Sequence, residues 1–182
     1  MELDFLKMAK DISDELIGLR RDFHMHPELG YEEHRTSDKI KEFLKREGIE
    51  YIETAGTGVC GIIRGNGDKT VGIRGDIDAL PLEDKKSCGY CSTVKGKMHA
   101  CGHDAHTTIL LGVAKILNNI KNNLNGNVKL FFEPAEETTG GARVMIKERV
   151  LENPNVDNVI GLHVEENLEV GKIGVKMGVV NA

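Results

Sequence analysis

The sequence predicts an α/β domain, because helical and strand-like segments alternate along the second half of the chain. Residues 107–120 carry apolar side chains at helical spacing, and residues 128–132 form a short apolar strand of the kind that is buried on both faces. Residues 142–151 are again helical, and residues 156–162 are a second strand of the buried type. The 182 residues are enough for one domain with a hydrophobic core.

The first half of the chain begins with two predicted helices. Residues 5–23 have apolar positions at helical spacing, which predicts an amphipathic helix. After a break at residues 24–30, the same pattern returns over residues 36–47, and Gly48 ends it.

Two strands and a long loop follow these helices. Residues 59–64 and 70–74 are β-like and flank Gly65-Asn66-Gly67-Asp68, which predicts a hairpin turn. We expect a long loop over residues 76–104.

Composition excludes several classes of function. Hydrophobic residues make up 40% of the chain and charged residues 29%, which is typical of a soluble globular protein. The net charge of −5, the scattered Lys and Arg and the absence of Trp argue against a nucleic-acid partner. No apolar run is long enough to span a membrane. The first ten residues do not resemble a secretory signal, so four unpaired cysteines in a reducing cytoplasm are expected.

The densest group of metal-binding residue types is Met98-His-Ala-Cys-Gly-His-Asp-Ala-His106. Thiolate and imidazole together favour zinc or a neighbouring late first-row metal. Cys101 and His103 can bind one cation if the backbone curves between them, and Gly102 permits that curvature.

Other chemistry-bearing residues follow the predicted strands. Glu136 and Glu137 come soon after the strand at residues 128–132, and His163 follows the strand at residues 156–162. Because the carboxyl ends of parallel strands form the binding crevice of open α/β sheets, we expect these side chains to meet at one edge. Adjacent glutamates can divide their roles between metal binding and proton transfer.

Taken in order, four motifs resemble the signatures of the metal-dependent amidohydrolases that include hippurate hydrolase, N-acetyl-diaminopimelate deacetylase and auxin-conjugate hydrolases. The motifs are Arg74-Gly-Asp-Ile-Asp-Ala-Leu-Pro81, residues 98–106, Phe132-Glu-Pro-Ala-Glu-Glu137 and Gly161-Leu-His163. The segment His24-Met-His-Pro-Glu-Leu-Gly30 matches as well. The resemblance implies a three-layer zinc-peptidase-like catalytic domain with a mixed central sheet.

The same resemblance implies a catalytic site with two divalent metal ions, zinc or manganese. Its implied metal ligands are Cys101, His103, Glu137 and His163, and Glu136 is the implied catalytic acid and base. The substrate would be an N-acyl amino acid or a similar small amide. A hydroxide held between the metals would attack the amide carbonyl, and Glu136 would carry the proton from the water to the departing amine.

The chain departs from this family at its C-terminus. Residues 170–180 alternate like another strand pair, and the sequence stops at Asn181-Ala182. Relatives continue into a lid domain that usually dimerises, followed by a return segment with one further histidine ligand. We therefore expect residues 1–182 to be the N-terminal part of a catalytic domain. The isolated fragment should show weak second-metal occupancy and little activity, and a homodimer is expected for the full-length protein.

Several acidic and histidine side chains can be interpreted in two ways. We expect Asp76, Asp78 and Asp104 either to orient metal-ligating imidazoles or to cap loops. His99 and His106 are expected to support the ligands or face substrate. His24 and His26 are expected to be structural, because Pro27 marks a helix exit.

Two alternative functions use other residues. Cys88 and Cys91, with Cys101 and His103, have the spacing of half a zinc ribbon, which would make the chain a non-catalytic structural or interaction module. Residues 56–61 satisfy a dinucleotide fingerprint, but residues 62–64 and a Gly-Asn-Gly turn follow too soon for the helix that the fingerprint requires, so this interpretation is disfavoured.

Overall fold

The computed structural model describes residues 3–175, which form a five-stranded mixed sheet with helices on both faces. The helices are α1 (Phe5–Asp11), α2 (Ser13–Met25), α3 (His34–Arg46), α4 (His103–Asn119) and α5 (Gly141–Lys147). The strands are β1 (Glu50–Thr54), β2 (Gly58–Ile63), β3 (Thr70–Asp76), β4 (Asn127–Glu133) and β5 (Asn158–Gly161). The predicted α/β class and the mixed sheet are confirmed.

The strand order is β1-β2-β4-β3-β5. β1 pairs antiparallel with β2, and β2 pairs antiparallel with β4. β3 lies parallel to both β4 and β5, so the three strands end at the same edge of the sheet. Helix α4 connects β3 to β4, as parallel neighbours require. This topology places the segments that follow three strands next to each other.

The central strand β4 separates two apolar layers. Its alternate residues Val128, Leu130 and Phe132 pack with α3 and α4 in the larger core, whereas Phe131 packs with Met145 of α5 on the other face. Every residue of β4 after Asn127 is buried, which confirms the strand predicted at residues 128–132. Helices on both faces give the three-layer arrangement.

The hairpin predicted at residues 65–68 is wrong. β2 and β3 are not neighbours, because β4 lies between them. The glycines instead allow the backbone of residues 124–126 to come close. A Cβ atom at Gly65 or Gly67 would collide with backbone atoms of these residues. Asn66 N–H also donates to the Leu124 carbonyl at 2.8 Å. The turn residues therefore position the entry to β4.

Three helix predictions need small corrections, and the first is that α5 ends at Lys147 rather than at residue 151. The helix expected at residues 5–23 is interrupted at Ile12, so α1 and α2 are separate. α3 ends as predicted: Gly48 has φ 67°, and Ile49 N–H donates to the Leu44 carbonyl at 2.9 Å, as in a Schellman cap. α4 begins at His103, four residues before the predicted start at residue 107, so the helix carries part of the candidate site.

Two strand predictions also change. Strand β1 was not predicted, and its burial pattern is mostly exposed, which explains its weak apolar signal. β5 is present near residues 156–162, but its four residues are exposed rather than buried, because it is the outer strand beside β3. The strand pair expected at residues 170–180 is absent as far as Val175, and residues 176–182 lie outside the described residues. Within residues 3–175, no helix is long and apolar enough to cross a membrane.

Candidate metal centre

The predicted site residues meet at the edge where the parallel strands end. β3 ends at Asp76, β4 ends at Glu133, and α4 starts at His103. Ligand atoms of Cys101, His103 and His163 lie within 4.8 Å of one another, and so do those of His103, Glu136 and Glu137. The structure therefore brings together all five residues predicted to form the site, and His103 belongs to both groups.

His103 is oriented by a buried carboxylate. Its Nδ1 atom lies 3.1 Å from Asp78 Oδ1, which orients the ring with Nδ1 as the donor to Asp78 and directs Nε2 away from that carboxylate. His103 Nε2 is buried and has no hydrogen-bond partner among the described residues. It faces the carboxylates of Glu136 and Glu137 at 3.8 and 3.7 Å. A buried, unpaired nitrogen beside two acids suits a cation.

Cys101 and His163 form a second part of the site. The Cys101 Sγ atom lies 3.3 Å from His163 Nε2. His163 Nδ1 lies 2.6 Å from the Val164 carbonyl oxygen, so it donates there and leaves Nε2 free toward the thiol. Burial, followed by a hydrogen bond to Glu137, raises the pKa of the Cys101 thiol to about 12. The thiol therefore keeps its proton at neutral pH until a cation displaces it.

His106 uses both ring nitrogens inside the protein. Its Nδ1 atom lies 2.6 Å from Asp76 Oδ1, and its Nε2 atom accepts from Val164 N–H at 2.9 Å. Neither nitrogen is left to bind a metal. His106 instead links the end of β3 to the segment that carries His163, and the two imidazole rings lie 4.7 Å apart.

The contacts of Arg74 were not predicted from the sequence. Its guanidinium lies 2.6 Å from Asp76 Oδ2 and 2.7 Å from Glu133 Oε2, and it approaches Glu136 Oε1 at 3.9 Å. Burial raises the pKa of the Glu136 carboxyl, while the Arg74 charge opposes that rise. The Glu136 side chain is partly exposed. It lies near the positive charge of Arg74 and close to His103.

The three aspartates that allowed two interpretations have different roles in the structure. Asp78 holds His103 and also accepts from Glu137 N–H at 3.0 Å, and Asp76 holds His106. Asp104 lies apart from the grouped ligand atoms and pairs with His24 Nδ1 at 2.5 Å. Asp76 and Asp78 therefore orient imidazoles at the site, whereas Asp104 anchors α2 to α4.

Among the described residues, His24, His26 and His99 belong to none of the groups of possible metal-ligand atoms. His24 is buried against Asp104, and His26 Nδ1 lies 2.8 Å from the Asp22 carbonyl oxygen at the end of α2. His99 is buried without a hydrogen-bond partner among the described residues, and burial lowers the pKa of its imidazole to about 4. His99 is therefore neutral at physiological pH.

Glu33 was missed by the sequence analysis because one glutamate in a polar segment carries no distinguishing pattern. It is fully buried, accepting from Ala135 N–H at 2.8 Å and from the Thr57 hydroxyl at 2.5 Å. Ala135 has φ 51° and immediately precedes Glu136. Glu33 thus anchors the turn that presents the two site glutamates.

The two alternative motifs do not form the sites they suggested. In residues 3–175, neither Cys88 nor Cys91 belongs to a group of three possible metal-ligand atoms, so no zinc ribbon assembles. Residues 56–61 run from the β1–β2 turn directly into β2, without the helix that a dinucleotide fingerprint requires.

An α/β sheet that groups thiol, imidazole and carboxylate donors at its strand-end edge defines the class of α/β metal-binding proteins. A comparison with protein families identifies the group within that class. Residues 72–180 match the model described as Peptidase family M20/M25/M40. The chain belongs to this family, which confirms the resemblance seen in its motifs.

Individual relatives agree with this assignment. IAA-amino acid hydrolase ILR1-like 5 of Arabidopsis thaliana is 43% identical over 182 residues, covering 98% of this chain and 41% of the relative. N-acetylcysteine deacetylase of Bacillus subtilis (strain 168) is 43% identical over 166 residues, covering 90% of this chain and 43% of the relative.

A solved structure has the same fold. The YXEP protein of Bacillus subtilis, described as a dinuclear metal-binding peptidase of the M20 family, matches with a TM-score of 0.88 and 42% identity. The match covers 93% of this chain and 48% of that chain. The chain thus spans less than half the length of these relatives.

Proposed function

We propose that the protein containing this chain hydrolyses the amide bond of N-acyl amino acids with the help of two divalent metal ions. Cys101, His103, Glu137 and His163 would hold the ions, and Glu136 would be the acid and base. The observation that carries the proposal is the buried Nε2 atom of His103, which is unpaired among the described residues and faces Glu136 and Glu137. Bound cations would supply Lewis acidity toward the carbonyl and toward a nucleophilic water.

The donor set fits zinc or manganese. A thiolate and two imidazoles favour zinc, while carboxylate oxygens also suit manganese. Asp78 keeps His103 in the tautomer that presents Nε2, and the Val164 carbonyl does the same for His163. Both imidazoles are therefore oriented for metal binding before any ion arrives.

Glu136 is suited to move protons because it stands beside the metal ligands. Its carboxylate lies 3.8 Å from His103 Nε2, and its side chain is 37% exposed. Arg74 places a positive charge beside this carboxylate, since its guanidinium is 3.9 Å away. From this position Glu136 would take a proton from water and deliver it to the amine that leaves.

The names of two relatives support the proposed substrate class. One is named for deacetylation of N-acetylcysteine, and another, 44% identical over 155 residues, is named hippurate hydrolase in Campylobacter jejuni. Both names describe cleavage of a small N-acyl amino acid.

The four free cysteines agree with a protein that works in a reducing cytoplasm.

Adjacent glutamates offer a matched pair of test variants. Glu136→Gln should keep the bound metal and lower turnover of N-acetyl and N-benzoyl amino acids by about 10²–10⁴-fold. Glu137→Gln should lower both metal content and turnover, because it removes a proposed ligand. Elemental analysis of each variant, with assays at the full encoded length, distinguishes the two roles.

Two results would contradict the assignment. Full turnover in Glu136→Gln would remove Glu136 from the mechanism. Unchanged metal content in Glu137→Gln and in His103→Ala would show that the ions bind elsewhere.

A further inference from the structure

Two thiols outside the metal centre touch each other in the loop between β3 and α4. The Sγ atoms of Cys88 and Cys91 lie 2.8 Å apart. Since a disulfide bond is about 2.0 Å long, the sulfurs need to approach by only about 0.8 Å to bond. Cys88 is exposed and Cys91 is half-buried, so small molecules can reach the pair.

The loop is already closed around these thiols. Asp84 accepts from Lys86 N–H at 3.0 Å and from Ser92 N–H at 2.9 Å, which ties together the two ends of the segment. Inside it, the Cys91 sulfur accepts from Cys88 N–H at 2.9 Å. Ring closure therefore requires little rearrangement of the backbone.

Tyr90, between the two cysteines, fastens the loop to α2. Its ring lies 5.4 Å from the Arg20 guanidinium and 5.0 Å from that of Arg21, within the range of cation–π contacts. The ring also meets the edge of His24 at 6.1 Å. These contacts limit the freedom that would otherwise separate the thiols.

We propose that Cys88 and Cys91 form a reversible redox site that low-molecular-weight disulfides oxidise. The exposed Cys88 thiolate attacks one sulfur of the small disulfide, whose S–S bond breaks and releases one thiolate. The Cys91 thiolate then attacks the Cys88 sulfur of this mixed disulfide and expels the second small thiolate. The protein loses two protons and two electrons, and the small disulfide becomes two thiols.

The pair reacts before the other cysteines of the chain. Cys60 is fully buried in β2, so a small disulfide cannot reach it. Cys101 is half-buried against His163, where its sulfur lies 3.3 Å from an imidazole. Intramolecular resolution drives the reaction at Cys88, because the second thiol is already in contact. This site is independent of amide hydrolysis.

Trypsin separates the three cysteine environments. Cleavage after Lys and Arg gives peptide 87–95 with Cys88 and Cys91, peptide 98–115 with Cys101 and peptide 47–64 with Cys60. The 182-residue chain is incubated with oxidised glutathione, quenched in acid, alkylated and digested. Peptide 87–95 should become lighter by two hydrogen atoms and lose both alkylation sites, while the other two peptides stay alkylated.

Serine variants test the role of each thiol. Cys91→Ser should trap glutathione on Cys88, because no second thiol can release it. Stable glutathionylation of wild-type peptide 87–95 would overturn the proposal, as would earlier oxidation of peptide 98–115 or cross-links between chains. Oxidation that requires a zinc chelator would assign the pair to a metal site and also overturn it.

Discussion

The two sides of the candidate metal centre are held in different ways. On one side, His103 is 1% exposed and is fixed by Asp78, which follows a central strand. On the other side, His163 lies in a segment whose residues are exposed from Asp157 to Val175. The geometry of the first side is fixed by its packing in the buried interior of the protein. The second depends on local contacts, chiefly the hydrogen bond from Val164 N–H to His106.

The largest difference between the two regions should appear in folding stability. Phe132 of β4 is fully buried, so Phe132→Ala should lower the free energy of unfolding by about 3–5 kcal/mol. Val159 of β5 is 54% exposed, so Val159→Ala should change it by no more than about 0.5 kcal/mol. Denaturant unfolding measures both, and equal losses would show that β5 belongs to the folding core.

The next effect concerns the buried side of the site. Asp78→Asn should weaken zinc binding by about 10–100-fold, because the amide cannot accept from both His103 and Glu137 N–H. Competition with a chelator measures the affinity. The control is Asp68→Asn at an exposed turn position, and a comparable loss in that variant would refute the role given to Asp78.

A smaller loss of affinity should follow a change on the exposed side. Val164→Pro removes the N–H group that binds His106 and should weaken zinc binding about tenfold, at the lower end for supporting contacts. The melting temperature should stay close to that of the wild type, because the segment is exposed. Val170→Pro is the matched control in the same segment, and an equal effect there would disprove the specific role of Val164.

The smallest expected effect is a pH dependence at Glu33, in the buried part of the site. Burial raises the pKa of this carboxyl above 4.5, so the folded protein binds its proton more tightly than the unfolded chain does. The resulting stability is fully present below pH 4.5 and is lost as the pH rises through the folded-state pKa.

Glu33→Gln isolates that contribution. Its amide can still accept from Ala135 N–H and can donate to the Thr57 hydroxyl oxygen, so the contacts survive without ionisation. As the pH rises from 4 to 8, the free energy of unfolding of the variant should increase relative to that of the wild type. A difference that does not vary with pH would contradict the raised pKa.

Local patterns were enough to predict most elements of the fold. The buried strand at residues 128–132 and the helices near α3 and α4 were predicted because apolar spacing reflects the face that each element buries. The hairpin at residues 65–68 failed because turn chemistry cannot reveal that β4 enters between β2 and β3. The insertion of β4 between β2 and β3 depends on contacts between residues that are distant in the sequence. A short sequence window cannot reveal such contacts.

By itself, the sequence determined the types of donor available and the order in which they follow the strands. Strand order predicted that Glu136, Glu137 and His163 would meet at one edge, and the resemblance of the motifs to a known family implied that Cys101, His103, Glu137 and His163 would be metal ligands. Only the tertiary structure decided which nitrogen of each imidazole is free, since that depends on partners such as Asp78, which lies 25 positions before His103. Tautomer and orientation are set by three-dimensional hydrogen bonding in a buried environment, whereas residue type and strand order belong to the chain itself.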